Sequence, residues 1–148
     1  MRKLIVEKSA LKNNLSVIKD RAAGAVIYAN LSGDGGGLGT VLLAQLLRDE
    51  GIGRFAVTEA SQAEDLRKAG LVEEEILMLR STTEREELEE LMDLNVVCTI
   101  GSHDTGVALN GLAEARSTVV EAHIEIDTGL GFGGFLASEP ENICNQEY

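Results

Sequence analysis

The sequence predicts an α/β fold: a parallel β/α (TIM-type) barrel segment of about five βα units, incomplete relative to an eight-stranded barrel. Three observations carry that expectation. Short apolar runs alternate with amphipathic helical stretches, strand starts recur about every 20 to 30 residues, and Gly24, Gly51 and Gly70 punctuate the helix ends. Strand followed by helix, repeated, implies a parallel sheet covered by helices. The 148 residues form one domain, 1–148, long enough to bury a core, whereas eight units need roughly 200 residues or more.

The elements follow in order. Leu4 to Val6 is expected as a short strand, and Ser9 as the cap of a helix whose Leu11, Leu15 and Ile18 recur at i, i+4 and i+7, ending near Gly24. Ala25 to Leu31 is the first barrel-type strand. It feeds the loop Ser32-Gly33-Asp34-Gly35-Gly36-Gly37-Leu38-Gly39, then a helix from Thr40 to Glu50 that Gly51 stops. Phe55 to Thr58 is the second strand, followed by a helix from Ser61 with Glu64 placed for a capping box. Glu75 to Leu79 is the third strand, and Thr83 to Leu94 packs by Leu88, Leu91 and Met92. Asn95 to Ile100 is the fourth strand, Asp104 to Ala115 a helix, and Val119 to Ile126 the fifth strand, opening into a second glycine-rich loop, Asp127 to Phe135. From Ser138 a helix begins with Pro140 in its first turn and then loses its apolar pattern.

Composition narrows the function. A net charge of −12 repels nucleic acid and anionic membrane surfaces alike. The run Glu84 to Glu90 reads as a solvated helix face rather than an acidic docking surface. The first residues are too soon charged for a signal peptide and no stretch is long enough to span a bilayer, so a cytoplasmic location is expected. Cys98 and Cys144 have no metal-ligand spacing and read as a buried thiol and a tail thiol.

Barrels place their chemistry at the carboxyl ends of strands, where the first glycine loop supplies only Ser32 and Asp34 as functional side chains. It lacks the Gly-Lys-Ser/Thr of a P-loop and the third glycine of a dinucleotide fingerprint. A small-anion site on backbone NH groups at the next helix start and a tight structural turn fit equally well. His103 lines a pocket or starts a helix. His123, Glu125 and Asp127 share one face of the fifth strand, a spacing that seldom gathers metal ligands unaided, and Glu59 and Arg80 are placed to pair across the sheet top.

Ser9-Ala10-Leu11 with Asn14-Leu15, Gly24-Ala25, the Leu31 to Gly39 loop, Phe55-Ala56-Val57, Glu64 to Gly70, and Ile126-Asp127-Thr128-Gly129-Leu130-Gly131 together resemble the amino-terminal barrel of the alanine racemase family. The resemblance implies a barrel that binds pyridoxal phosphate. Family loops read Lys-Gly-Asn-Gly-Tyr-Gly-Leu-Gly or Lys-Ala-Asp-Ala-Tyr-Gly-His-Gly, and their lysine forms the aldimine. By that resemblance Ser32 occupies the lysine position, Gly36 that of the tyrosine touching the phosphate, and Phe132 that of an arginine contacting the cofactor's phenolic oxygen. Glu125 stands where some members carry a carbamylated lysine. The second base, a tyrosine of a carboxyl-terminal domain, corresponds to nothing before Tyr148.

A serine hydroxyl forms no internal aldimine, which needs a primary amine. The expectation is therefore no covalently held cofactor, no catalytic residue and no metal. The chain is then an inactive racemase-like domain with a noncovalent small-molecule or anion ligand. One alternative is a structural or assembly protein whose open barrel edges pair with a second copy, as a homo-oligomer, or with a partner chain. A further alternative is an active amino-acid racemase represented by an altered or shortened sequence.

Overall fold

In the computed structural model residues 5–139 and 141 are described. The expectations for Leu4, for the helix start at Pro140 and for Cys144 fall outside them. The elements run α1 (Lys8–Ala22), β1 (Ala29–Asn30), α2 (Ser32–Gly37), α3 (Thr40–Asp49), β2 (Arg54–Val57), α4 (Ala60–Lys68), β3 (Glu75–Met78), α5 (Arg85–Asp93), β4 (Cys98–Ile100), α6 (His103–Ala115), β5 (Ala122–Ile124), β6 (Ile126–Asp127) and β7 (Phe135–Leu136).

β1, β2 and β3 pair in parallel, with Ala29 opposite Phe55 and Phe55 opposite Ile76. β4 and β5 pair in parallel, with Thr99 opposite His123. A parallel bridge between Leu77 and Val97 joins the two groups. Met78 NH donates to Val97 O at 2.9 Å and Val97 NH to Ile76 O at 2.8 Å. The result is one parallel arc in the order β1-β2-β3-β4-β5, the expected partial β/α barrel.

Strand pleating divides the arc into two faces. Phe55, Val57, Ile76, Met78, Val96 and Cys98 turn outward to a core completed by Leu31 and by helix residues such as Leu47, Leu66, Leu88, Leu91 and Leu109. Burying each large aliphatic side chain there contributes about 1.5–3 kcal/mol. Ala56, Leu77 and Val97 turn inward, with Tyr28 and Leu79 packed against them. Arg67 of α4 ties the foot of the arc together. Its guanidinium donates to the carbonyls of Leu94 (2.8 Å), Leu71 (2.6 Å), Glu74 (2.8 Å) and Asn95 (2.9 Å). The α4 helix stops at Gly70, whose φ of +89° lets Leu71 NH turn back to Leu66 O at 3.1 Å.

Several elements differ from expectation. Ile5 and Val6 lie outside any strand, and Glu7 occupies the cap position of α1 while the Ser9 hydroxyl donates to its carboxylate at 2.6 Å. Helix α4 begins at Ala60, after Glu59, with the Gln62 side chain accepting from the NH groups of Thr58 and Glu59; Glu64 instead pairs with Lys68 at 2.7 Å. Of the expected first strand only Ala29–Asn30 joins the ladder. The expected fifth strand is interrupted at Glu125, because its carbonyl accepts the Phe135 NH at 2.9 Å and so draws β7 alongside β6.

Candidate functional site

The carboxyl ends of the strands converge on one rim. Tyr28, Asn30 and Ser32 alternate on the inner face of the first strand and its exit, and Ser32 is half-buried, its NH donating to Asn30 Oδ1 at 2.9 Å. After Ser32 the backbone winds left-handed: Gly33, Asp34, Gly35 and Gly36 have φ of 61°, 55°, 62° and 67°. Such a turn strains residues with a Cβ by about 1–2 kcal/mol each, which explains a run of glycines. Asp34, its one non-glycine among these four, is held by its own carboxylate. Oδ1 accepts from the Thr40 NH at 2.8 Å and the Thr40 hydroxyl at 3.2 Å, capping α3. The tight-turn reading of this loop therefore describes what Asp34 does.

On the opposite side, Glu125 projects over Gly101. A Cβ on Gly101 would lie 2.9 Å from Glu125 Oε2 and 2.7 Å from Ser81 Oγ, so both groups occupy space that only a glycine at residue 101 leaves open. Gly133 and Gly134 close on Glu125 from the following loop. Asp127 Oδ1 accepts from the NH groups of Gly129 (2.8 Å) and Gly131 (3.1 Å). Those backbone bonds, Gly131 first, hold its carboxyl below the usual range.

Glu59 and Arg80 pair across the strand ends, as their positions predict, at 3.4 Å. Sequence reasoning missed the stronger partner, Glu87 of α5, which takes both terminal nitrogens of the guanidinium while Arg80 Nε donates to Thr58 O at 2.9 Å. The Glu87 contact is the first cause of the rise in the Arg80 pKa and of the fall in that of Glu87. A signal was present: Leu88 and Leu91 bury one side of α5, so the neighbouring Glu87 cannot lie on its fully solvated face.

His123, Glu125 and Asp127 do not converge. The His123 ring meets Tyr28 edge to face, with centroids 6.1 Å apart, while Glu125 sits over Gly101 and Asp127 bonds its own loop. His103 is exposed as the first residue of α6, behind the cap Ser102, whose hydroxyl oxygen accepts the Thr105 NH. Phe132 is 89 % exposed and Gly36 is exposed, so neither fills the strand-end space. Cys98 is buried as expected, its thiol pushed up to about 11 by burial. Cavities of about 560 and 590 Å³ open at the other end of the arc, beside Gly24, Gly53 and Glu75 and beside Glu74, Asn95 and Glu121.

Ser32, Glu59, Arg80, Ser81, Gly101, Glu125 and Asp127 thus lie along one polar rim at the carboxyl ends of the strands. Its titratable members are carboxylates and one engaged guanidinium, and it offers no free amine among the described residues.

The profile described as alanine racemase, N-terminal domain, matches residues 6–146. An alanine racemase of Levilactobacillus brevis is 32% identical over 135 residues, covering 89% of this chain and 36% of that protein. Among solved structures, the alanine racemase from E. faecalis has a TM-score of 0.81 and 27% identity over 93% of this chain and 37% of that one. An alanine racemase from Bartonella henselae with covalently bound pyridoxal phosphate has a TM-score of 0.82 at 19% identity, a likeness of fold, over 93% of this chain and 38% of that one. The chain spans just over a third of the length of the curated relatives it matches. A profile that runs through all five strands of the arc, and solved racemase barrels that superpose on it, lead to one conclusion: the chain belongs to the alanine racemase N-terminal domain family.

Proposed function

We propose that this chain is a racemase-family barrel scaffold that carries out no covalent cofactor chemistry by itself and holds a small molecule noncovalently at the carboxyl ends of its strands. The observation that supports this is the position of Ser32 at the exit of β1, where the family places the lysine, with no described lysine elsewhere on the rim. Lys8, Lys12 and Lys19 belong to α1 and Lys68 to α4. An amine that loses its proton and attacks an aldehyde is indispensable to covalent attachment of pyridoxal phosphate. The rim residues do not fit that group as a covalent tenant.

The test is an absorbance spectrum of the purified chain with pyridoxal phosphate, before and after borohydride, followed by peptide mass mapping. The expected result is no reduced adduct on a rim residue. A specific trapped adduct, or measured turnover of L- to D-amino acid, would restore the active racemase reading.

A second reading, a structural or assembly role with a second copy or a partner chain, is favoured by a separate observation. Val119, Ile124, Ile126, Leu130 and Leu136 are exposed along the β5–β7 side. Apolar surface of that kind drives association. Sedimentation of the chain tests it: a monodisperse monomer counts against it. No helix among the described residues is long and apolar enough to cross a membrane.

A further inference from the structure

We infer that the strand-end rim excludes phosphate-bearing ligands, because the chain's own carboxylates take donors in each place that would hold a phosphate and set like charges around it. The inference rests on the small-molecule reading and narrows it to uncharged or cationic ligands.

A phosphate is held by several donors acting together: helix-start NH groups, turns whose NH groups point inward, or an arginine fork. Each kind is present at this rim, and in each kind donors are already taken by the chain itself. At the start of α3, the Thr40 NH and hydroxyl both go to Asp34. In the turn after β6, the Gly129 and Gly131 NH groups go to Asp127. The Arg80 fork is shared between Glu87 and Glu59, its Nε going to Thr58 O. The Ser32 NH is bonded to Asn30 Oδ1, and the Ser102 hydroxyl is within 3.0 Å of that of Thr105.

Charge acts in the same direction. Asp34, Glu59, Glu87, Glu125 and Asp127 surround the rim against the single guanidinium of Arg80. A phosphate entering there would displace bonds already made and face several like charges with one positive charge already shared. Glu125 is the decisive member, since it leans over the strand ends through a gap that Gly101 leaves open. An uncharged or cationic group meets none of that repulsion.

The experiment titrates the full chain with inorganic phosphate, with pyridoxine 5′-phosphate, which has no aldehyde to react with surface lysines, and with pyridoxine, at constant ionic strength. Phosphorus NMR line width and the thermal midpoint are read. Neither phosphate compound is expected to broaden or to raise the midpoint. Broadening of pyridoxine 5′-phosphate that inorganic phosphate reverses would overturn the inference while leaving the small-molecule reading standing. If pyridoxine also fails to bind, the small-molecule reading loses its support and phosphate exclusion holds. A second arm frees the donors in Asp34→Gly/Asp127→Gly, with circular dichroism to check folding. A folded double variant should gain phosphate broadening at least several-fold over the parent, and a folded variant without the gain would refute the donor account. Should that variant not fold, the parent titration alone decides.

Discussion

Tyr28 and His123 meet edge to face across the hollow of the arc, ring centroids 6.1 Å apart at 75°, although one precedes β1 and the other lies on β5. Residues on the outermost strands touch only if the sheet is curved as in a barrel. The Arg54 guanidinium lies 5.7 Å from the Tyr28 ring centroid, tethered by Glu75 at 2.9 Å, so the ring is held from two sides. Replacing Tyr28 with Ala should shift the His123 imidazole proton resonances by removing the ring current, at a cost of about 1 kcal/mol. Unchanged His123 resonances in the folded variant would contradict the curvature described.

Arg67 satisfies carbonyls from the segments that follow α4 and α5. A lysine reaches fewer of them, because its ammonium is a point donor rather than a planar fork. Arg67→Lys should lower stability by about 2 kcal/mol, read as a lower urea midpoint with unchanged slope. A midpoint equal to the parent's would show the four carbonyls equally well served by water.

Glu87 owes its lowered pKa first to the Arg80 contact. A carboxyl depressed in the folded state contributes stability that is present above its unfolded pKa, and that contribution is lost as pH falls through the folded value. The thermal midpoint of the parent should therefore drop on the acid side of about pH 4.5. Glu87→Gln should start lower near neutrality and show a shallower acid limb. Parallel limbs for the two proteins would remove Glu87 from the acid response.

Asp34 combines a left-handed backbone with a cap on α3. Asparagine tolerates that conformation and keeps a side-chain oxygen, whereas alanine retains the Cβ strain and loses the acceptor. Asp34→Asn should be nearly neutral and Asp34→Ala destabilising by about 1–2 kcal/mol, measured by chemical denaturation. Equal losses in both would assign the effect to charge instead of the cap.

The sequence made the strand-helix rhythm plain because its signals are local: apolar spacing in α3 and α5, and glycines such as Gly51 and Gly70 that end helices. Features set by distant contacts were not legible. The interruption at Glu125 comes from Phe135, which approaches only once the second glycine loop has folded back. The cap of α4 moved from Ser61 to Glu59 because β2 ends at Val57 and the helix begins sooner. At the rim, Glu59 with Arg80 could be read from strand ends alone, whereas Glu87 was legible only through the facing of α5 that Leu88 and Leu91 set. The seating of Glu125 over Gly101 required three chain segments at once.

The handedness of the Gly33 to Gly36 turn separates two kinds of change that look alike on paper. Phe132 projects into open surroundings, so a polar side chain there asks nothing of the main chain. At Gly36 a tyrosine finds open space beside it yet inherits a φ of +67°, so what resists it is the winding of the peptide rather than crowding. Rebuilding a family-type site in this protein is therefore a matter of refolding a loop first and choosing side chains second.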